Sequence, residues 1–496
     1  METLAGKADP IDAPATWRWT DLAIDLATFV LLLWPLALNG GPFYSDDSAS
    51  YLRGGGVGFD TALLIVSHWW QSLVGGLRAA GAAADGPQAI VQAAVADAGG
   101  VRSLIYSVLA YVLRAPGSSL IGLAIAQAGA VAVILSYIRR LLLPGTRLWT
   151  GIAVGAAVSC LTSAAWYAAY VMPDIFAGVI IGGALVLTVF LDRLGTPARI
   201  LLVVLVAFGV TVHGSHLPVA LCTLGAGAAA HFWLRRGSPR RIVVPLAWFA
   251  GPLVLGVAAL FATSFVAFGE ASLSPKRYPI LLARSVADGP GAWHLREHCA
   301  TERYAICEVL GPNPPREVGR FLWPPEGVRD RASPEQMDRI RAEEATIIRR
   351  AAIEYPLAQF GASARNMAAQ FVQLGLTGLQ FGQALVGTDE PVLVQRHPDR
   401  PRIRSLFELV VYAGVFGSLA LLAYLRRAVR PVEFAALAVA VTGLVANAAV
   451  CGILSGVTDR YQGRAAWLLP TLAMLIVVRI ALERRQASGR WQPRQT

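Results

Sequence analysis

Residues 118–140 read SSLIGLAIAQAGAVAVILSYIRR, an apolar run closed by two adjacent arginines. A helix needs about 20 apolar residues to cross a hydrocarbon core of roughly 30 Å, and this run supplies them. In lipid every backbone polar group must be satisfied within the protein, so such a run reads as a helix and not as an isolated strand. The alternation that a membrane β-barrel requires is absent. The same pattern recurs outward in both directions. Spans are expected near 20–40, 118–138, 148–169, 174–192, 198–213, 216–234, 242–267, 405–425, 433–455 and 465–482. Composition agrees: 55% of the 496 residues are hydrophobic, 15% are charged and the mean hydropathy is +0.52, which excludes an ordinary water-soluble globule. The expected fold class is therefore an all-α polytopic membrane protein with about ten spans.

Charge orients these spans. Arg139-Arg140, Asp192-Arg193 with Arg199, Arg235-Arg236 with Arg240-Arg241, Arg426-Arg427 with Arg430, and Arg484-Arg485 fall in alternate short loops. By the positive-inside rule those loops and both termini face the cytoplasm. The net charge of +11 is thereby accounted for by topology, and nucleic acid is not an expected partner. Residues 20–40 lack a small-residue cleavage site and read as an uncleaved first helix.

Three parts follow: an N-terminal membrane module over 1–267 with a first outer loop at 41–117, an outer segment at 268–404, and C-terminal membrane helices with a tail over 405–496. Within the first loop, FDTALLIVSHWWQSLVGGL has an apolar helical face carrying His68, Trp69 and Trp70, as an interfacial helix would. LIYSVLAYVL at 104–113 is too short to cross, and counting it as a crossing would invert every later loop. In the outer segment, Ser333-Pro334-Glu335 opens a charged helix near 334–354, and a second helix is expected over about 356–383. Cys299 and Cys307 form a C-x7-C in this segment. A disulfide suits an oxidising compartment, and two free or buried thiols are the alternative. No internal repeat is evident.

The polar residues of interest share the outward side. Asp46-Asp47, in GPFYSDDSASYLRGG, offer carboxylates that take a proton from an acceptor or hold a divalent cation, while Ser-Asp-Asp-Ser also suits a helix start. Asp174 follows Pro173 at the mouth of a span, where capping alone would explain it. His213-Gly-Ser-His216 is an H-x-x-H motif open to three readings: a metal pair, a hydrogen-bonding turn, or a contact to phosphate or sugar. Asp459-Arg460-Tyr461-x-x-Arg464 places arginines on the outward side against the topological preference. Guanidinium groups match phosphate bidentately, and the alternatives are headgroup anchoring or an Asp–Arg pair. Lys276-Arg277-Tyr278 is a second basic patch, which lipid headgroups would also suit. Arg102, late in the first loop, joins Lys276, Arg460, Tyr461, Arg464, His213 and His216 as a candidate substrate contact.

In this order and sidedness the chain resembles the GT-C superfamily of glycosyltransferases, polytopic enzymes that include protein O-mannosyltransferases and the lipid A aminoarabinose transferase. The resemblance rests on Asp46-Asp47 after span one, the amphipathic stretches of that loop, the Pro173-Asp174 turn, and Arg460-Tyr461 followed by Pro470. It covers most of the first 240 residues and the C-terminal turn. It departs at Asp-Asp, where such enzymes often carry Asp-Glu, and over 268–404, whose C-x7-C and FLWPP look like those of other bacterial membrane proteins. The resemblance implies a base or metal-assisting carboxylate at Asp46 or Asp47, a second acid at Asp174 and an arginine on the donor phosphate. It further implies a polyprenyl-phosphate sugar as donor, membrane lipids as surroundings and a bacterial inner membrane as location, with a divalent cation as the one cofactor considered. The rivals are a transporter or flippase for a lipid-linked or anionic substrate, and a non-catalytic assembly protein.

Overall fold

The computed structural model describes residues 18–56, 58–59, 63, 103–114, 119–235, 243–273, 277–323, 325–387 and 390–488. The expected interfacial helix at 59–77 lies outside these except at Phe59 and Leu63. Among the described residues the chain is helical almost throughout. Seven helices are long and apolar enough to cross a membrane, and three shorter apolar helices lie where further spans are expected.

The first span is two helices, α1 (Trp19–Leu31) and α2 (Trp34–Asn39), separated where Pro35 enters the first turn of α2. A helix α3 then opens at Asp46 and is described through residue 56, with residues 58 and 59 also helical. Helix α4 (Leu104–Val112) is nine residues long, or about 14 Å at 1.5 Å per residue, and is too short to cross. The N-terminal module continues with α5 (Ile121–Leu142), α6 (Leu148–Leu161), α7 (Ala164–Ala168), α8 (Phe176–Val189), α9 (Thr196–Val212), α10 (His216–Arg235) and α11 (Val243–Phe268). The expected span 148–169 thus breaks at Thr162-Ser163, leaving α6 at about 21 Å.

Helix α8 is the hub of the bundle. Every residue from Phe176 to Val189 is buried, and the helix packs against α5, α9 and α10. Its apolar residues continue all round, as expected of a helix with no exposed face. Gly178 allows the last membrane helix to come close: a Cβ there would lie 2.5 Å from the Trp467 indole nitrogen.

Residues 280–372 form a cap with its own apolar core, built from Leu282, Val286, Leu295, Phe321, Ile340 and Ile347 among others. Its helices are α12 (Ile280–Asp288), α13 (Pro290–Glu302), α14 (Ala305–Leu310), α15 (Val318–Leu322), α16 (Val328–Arg331), α17 (Pro334–Glu354) and α18 (Pro356–Val372). Helix α17 keeps the expected bounds because its start is local: Ser333 accepts from the Gln336 N–H, and the Gln336 side chain accepts from the Ser333 N–H. The Cys299–Cys307 disulfide is formed. The helix expected over 356–383 stops at Val372. Beyond it comes an irregular stretch with Gly375 and Gly378, then an antiparallel hairpin of β1 (Gln383–Val386) and β2 (Val392–Gln395). The remaining helices are α19 (Pro401–Tyr424), α20 (Pro431–Leu454), α21 (Asp459–Ala466) and α22 (Leu468–Ala487). TDRYQGR, expected as a turn, is instead mostly α21. Tyr461, Gln462 and Arg464 are buried against other helices, while Asp459 and Arg460 at its start are half-buried.

At the end of the bundle away from the cap, several topological charges are paired. Arg139 meets Asp21 at 3.0 Å and Asp25 at 3.1 Å, and Arg140 also bonds Asp25. Arg479 forks onto Glu433 with two bonds of 2.8 Å and reaches Glu483 at 2.7 Å, while Arg430 binds the other Glu483 oxygen. Glu433 and Arg479 are both buried, so removing Glu433 leaves Arg479 with only the half-buried Glu483 as counterion and two of its hydrogen bonds unmade. Glu433→Ala is expected to destabilise the detergent-solubilised protein by about 3–5 kcal/mol. A Glu433→Met/Arg479→Met double variant should recover most of that, as read from thermal unfolding.

Candidate functional site

The site is assembled where the first loop meets the turn between α7 and α8. Gly40 adopts φ 75° after α2, a left-handed conformation open to glycine, and turns the chain back toward the bundle. Phe43 then pairs in parallel with Tyr170: the Phe43 N–H donates to the Ala169 carbonyl, and the Val171 N–H donates to the Phe43 carbonyl, both at 2.9 Å. Ser48 donates to the Val171 carbonyl at 3.0 Å. From inside the bundle the Gln127 amide donates to the carbonyls of Ala168 and Tyr170, fixing the opposite face of the same turn.

Ser45 supplies the start of α3, accepting from the Asp47 N–H at 3.2 Å. The two aspartates therefore occupy the first helical turn, where the macrodipole favours an anion. Asp46 is exposed and Asp47 is half-buried. Asp47 lies 3.7 Å from Arg460, whose guanidinium also sits 5.2 Å from the Tyr461 ring centroid. Tyr170 lies against Ser45 and Arg460, and burial pushes its phenol up to about 12, with Arg460 opposing that shift.

Below this rim is a buried polar floor. Asp174 enters through the short Pro173–Ile175 turn before α8 and meets Arg464 at 3.2 Å, with both side chains almost fully excluded from solvent. The other terminal nitrogen of Arg464 donates to Ser215 at 2.9 Å, Asn447 at 3.0 Å and Cys451 at 3.3 Å. Asn447 in turn donates to the Tyr461 carbonyl and to Gln462. A charge-assisted network of this kind offsets the desolvation of both ions, which a bare pair would not.

Of the residues singled out from sequence, the structure brings together Asp46, Asp47, Asp174, Arg460, Tyr461, Arg464 and His213. His213 accepts from the Ser215 N–H and lies 6.4 Å, ring to ring, from Tyr461. His216 is buried and its Nδ1 bonds the Gly209 carbonyl at 2.8 Å. The H-x-x-H thus forms a hydrogen-bonding turn, and among the described residues no third His, Cys, Asp or Glu joins it in an ion-holding group. Nor do Asp46, Asp47 or Asp174 make such a group, so the divalent cation considered from sequence finds no ligand set among the described residues at this rim. Arg102 and Lys276 lie outside the described residues.

Sequence reading missed Ser215, Asn447, Cys451 and Tyr170. Asn447 and Cys451 carried a signal, being polar groups four residues apart on one face of an apolar span. The loop that binds the cap to this site was also unread. Gln370 on α18 both donates to and accepts from the Thr458 backbone at 2.9 Å, and Thr377 donates to Asp459.

The fold and site define a multi-pass membrane protein with a helical cap over a paired acid–base rim. Comparison with protein-family models, with curated proteins and with solved structures found no match.

The two ion pairs differ in depth, and their removal should differ accordingly. Asp174→Asn leaves Arg464 buried without its counterion and is expected to destabilise the protein by about 3–5 kcal/mol. Asp47→Asn loosens a pair at a solvent-accessible rim and should change stability by less than about 1 kcal/mol. Parallel thermal unfolding of the two variants in the same detergent checks the contrast.

Proposed function

We propose that the protein is a membrane glycosyltransferase that moves a sugar from a polyprenyl-phosphate donor to an acceptor hydroxyl or amine. The reading takes the chain as ten spans in a bacterial inner membrane, both termini cytoplasmic and the cap periplasmic. The observation that carries it is the convergence of Asp47 with Arg460 at one rim, above the Asp174–Arg464 pair, from segments far apart in sequence.

The pairing at 3.7 Å is loose, and that suits a site that must exchange partners. A donor phosphate gives Arg460 shorter charge-assisted bonds than Asp47 does, so its arrival releases the carboxylate. Asp47 or Asp46 then accepts the acceptor's proton as the acceptor oxygen or nitrogen bonds to the anomeric carbon. The bond from that carbon to the phosphate oxygen breaks, and the phosphate leaves with the electron pair. Arg460 stabilises the charge that develops there. Arg464, held by Asp174, positions Tyr461 and Arg460 on α21. Such a lipid donor enters sideways from the bilayer, which accounts for a site at the bundle edge.

The buried Asp174–Arg464 pair is also what a transporter would carry on its substrate path, so transport is the second reading. The full chain in vesicles containing polyprenyl-phosphate sugars separates the two. Transfer to acceptor should fall by about 10²–10⁴-fold in an Asp46→Asn/Asp47→Asn variant that unfolds at the wild-type temperature. Wild-type transfer by that variant overturns the reading, and movement of intact donor across the bilayer without transfer replaces it with transport.

A further inference from the structure

The cap holds a second cluster that the transferase reading leaves unused. His294 and His298 lie one turn apart on α13, with ring centroids 4.5 Å apart, and Glu354 closes α17 beside them. The Glu354 carboxylate lies 2.7 Å from His294 Nδ1 and 3.4 Å from His298 Nε2. One donor atom from each of the three falls within 4.8 Å of the others. Donors around a tetrahedral zinc ion, at Zn–N and Zn–O distances near 2.0–2.2 Å, stand about 3.3 Å apart. The three donor atoms thus already stand near the spacing such an ion requires.

We infer that His294, His298 and Glu354 form a binding site for a divalent transition ion of the zinc class, distinct from the Asp47–Arg460 rim. Two imidazoles and one carboxylate suit zinc and its neighbours better than magnesium or calcium, which take oxygen ligands. The outer shell is in place. His294 Nε2 faces the Tyr304 hydroxyl at 3.2 Å, so with Nδ1 on the ion its remaining N–H has an acceptor. Tyr304 is itself held by Arg350 at 3.1 Å, and Arg350 by Glu302 at 2.9 Å.

The supporting backbone is fixed at several points. The residue after His298 is Cys299, tied by its disulfide to Cys307. The residue after Glu354 is Tyr355, whose ring packs edge-on to Trp293 at 5.1 Å. His294 is buried, while His298 and Glu354 each keep about a third of their side chains exposed, 37% and 33%. The ion would thus have a protein floor and an open position toward water, and would clamp the end of α17 to α13.

The test uses the full chain in detergent, stripped with chelator and dialysed against zinc. One equivalent of zinc is expected by elemental analysis, a tetrahedral cobalt spectrum on substitution, and a zinc-dependent rise in the unfolding temperature. His298→Ala and Glu354→Gln, both partly exposed positions, should each lose the equivalent and the rise, whereas His213→Gln should keep them. Tyr304→Phe is expected to weaken binding by about 10–100-fold. Absence of zinc from the wild-type chain, or its retention in both the His298→Ala and Glu354→Gln variants, overturns the assignment whether or not the protein transfers sugar.

Discussion

The buried guanidinium of Arg464 governs how the cap side of the bundle is built. A cation withdrawn from water in a membrane protein is tolerable only with a counterion and hydrogen-bond acceptors, and their geometry must be good. Arg464 obtains these from Asp174, Ser215, Asn447 and Cys451, which belong to the turn before α8, the turn before α10, and α20. Three separate elements must therefore arrive in one arrangement for the charge to be satisfied. The same arrangement fixes α21, and with it the half-buried Arg460 one turn earlier. The rim rests on this floor: Asp47 and Arg460 stay close to water, whereas Asp174 and Arg464 beneath them do not.

The far end of the bundle obeys the same constraint with different residues. Arg139 and Arg140 would read as solvated loop charges under a rule that only counts them, yet both are buried against Asp21 and Asp25 of α1. Glu433 and Arg479 form a comparable pair between α20 and α22. Charge is thus concentrated at the two ends of an apolar bundle and is neutralised across helices, tying together helices that apolar packing alone would hold with little register. Van der Waals contact between membrane helices is permissive, and ion pairs at both ends set which residue faces which.

What the sequence made legible was local. The start of α17 was readable because a capping serine is followed directly by a first-turn proline, and the Cys299–Cys307 pairing because its separation is short. The long apolar helices were readable from hydropathy alone. Three features were not. The break of the third span at Thr162-Ser163 is held by the Ser163 hydroxyl, which donates to the Gly463 carbonyl, and no window of composition contains a partner 300 residues away. Helix α21 was read as a turn because its residues are polar, whereas the polarity of Gln462 and Arg464 is consumed by a buried network. The irregular stretch over 373–382 was read as the tail of a helix because the Asp399 contact to the Phe381 N–H and the Asn39 contact to the Gly382 N–H come from outside it. For the site, the order of Asp46-Asp47, Asp174 and Arg460 suggested one side of the membrane, but the Asp174–Arg464 pairing, 290 residues apart, required the fold.

The cap has its own core and disulfide, yet it is joined to the rim at defined points rather than by a flexible linker alone. Gln370 makes two hydrogen bonds to Thr458, the residue before α21, and Thr377 holds Asp459 at that helix's first position. Asn366, one turn before Gln370, donates to Asp288 of the cap at 2.8 Å. A displacement of α18 would therefore move the start of α21, and Arg460 is the next residue in line. Because Arg464 is locked four residues further on, such a displacement would be taken up as a tilt or fraying of the first turn of α21. The loosely held Asp47–Arg460 contact is the interaction at this rim that can lengthen without leaving a buried charge unpaired. The cap is thereby coupled to the one ion pair that the proposed chemistry requires to open.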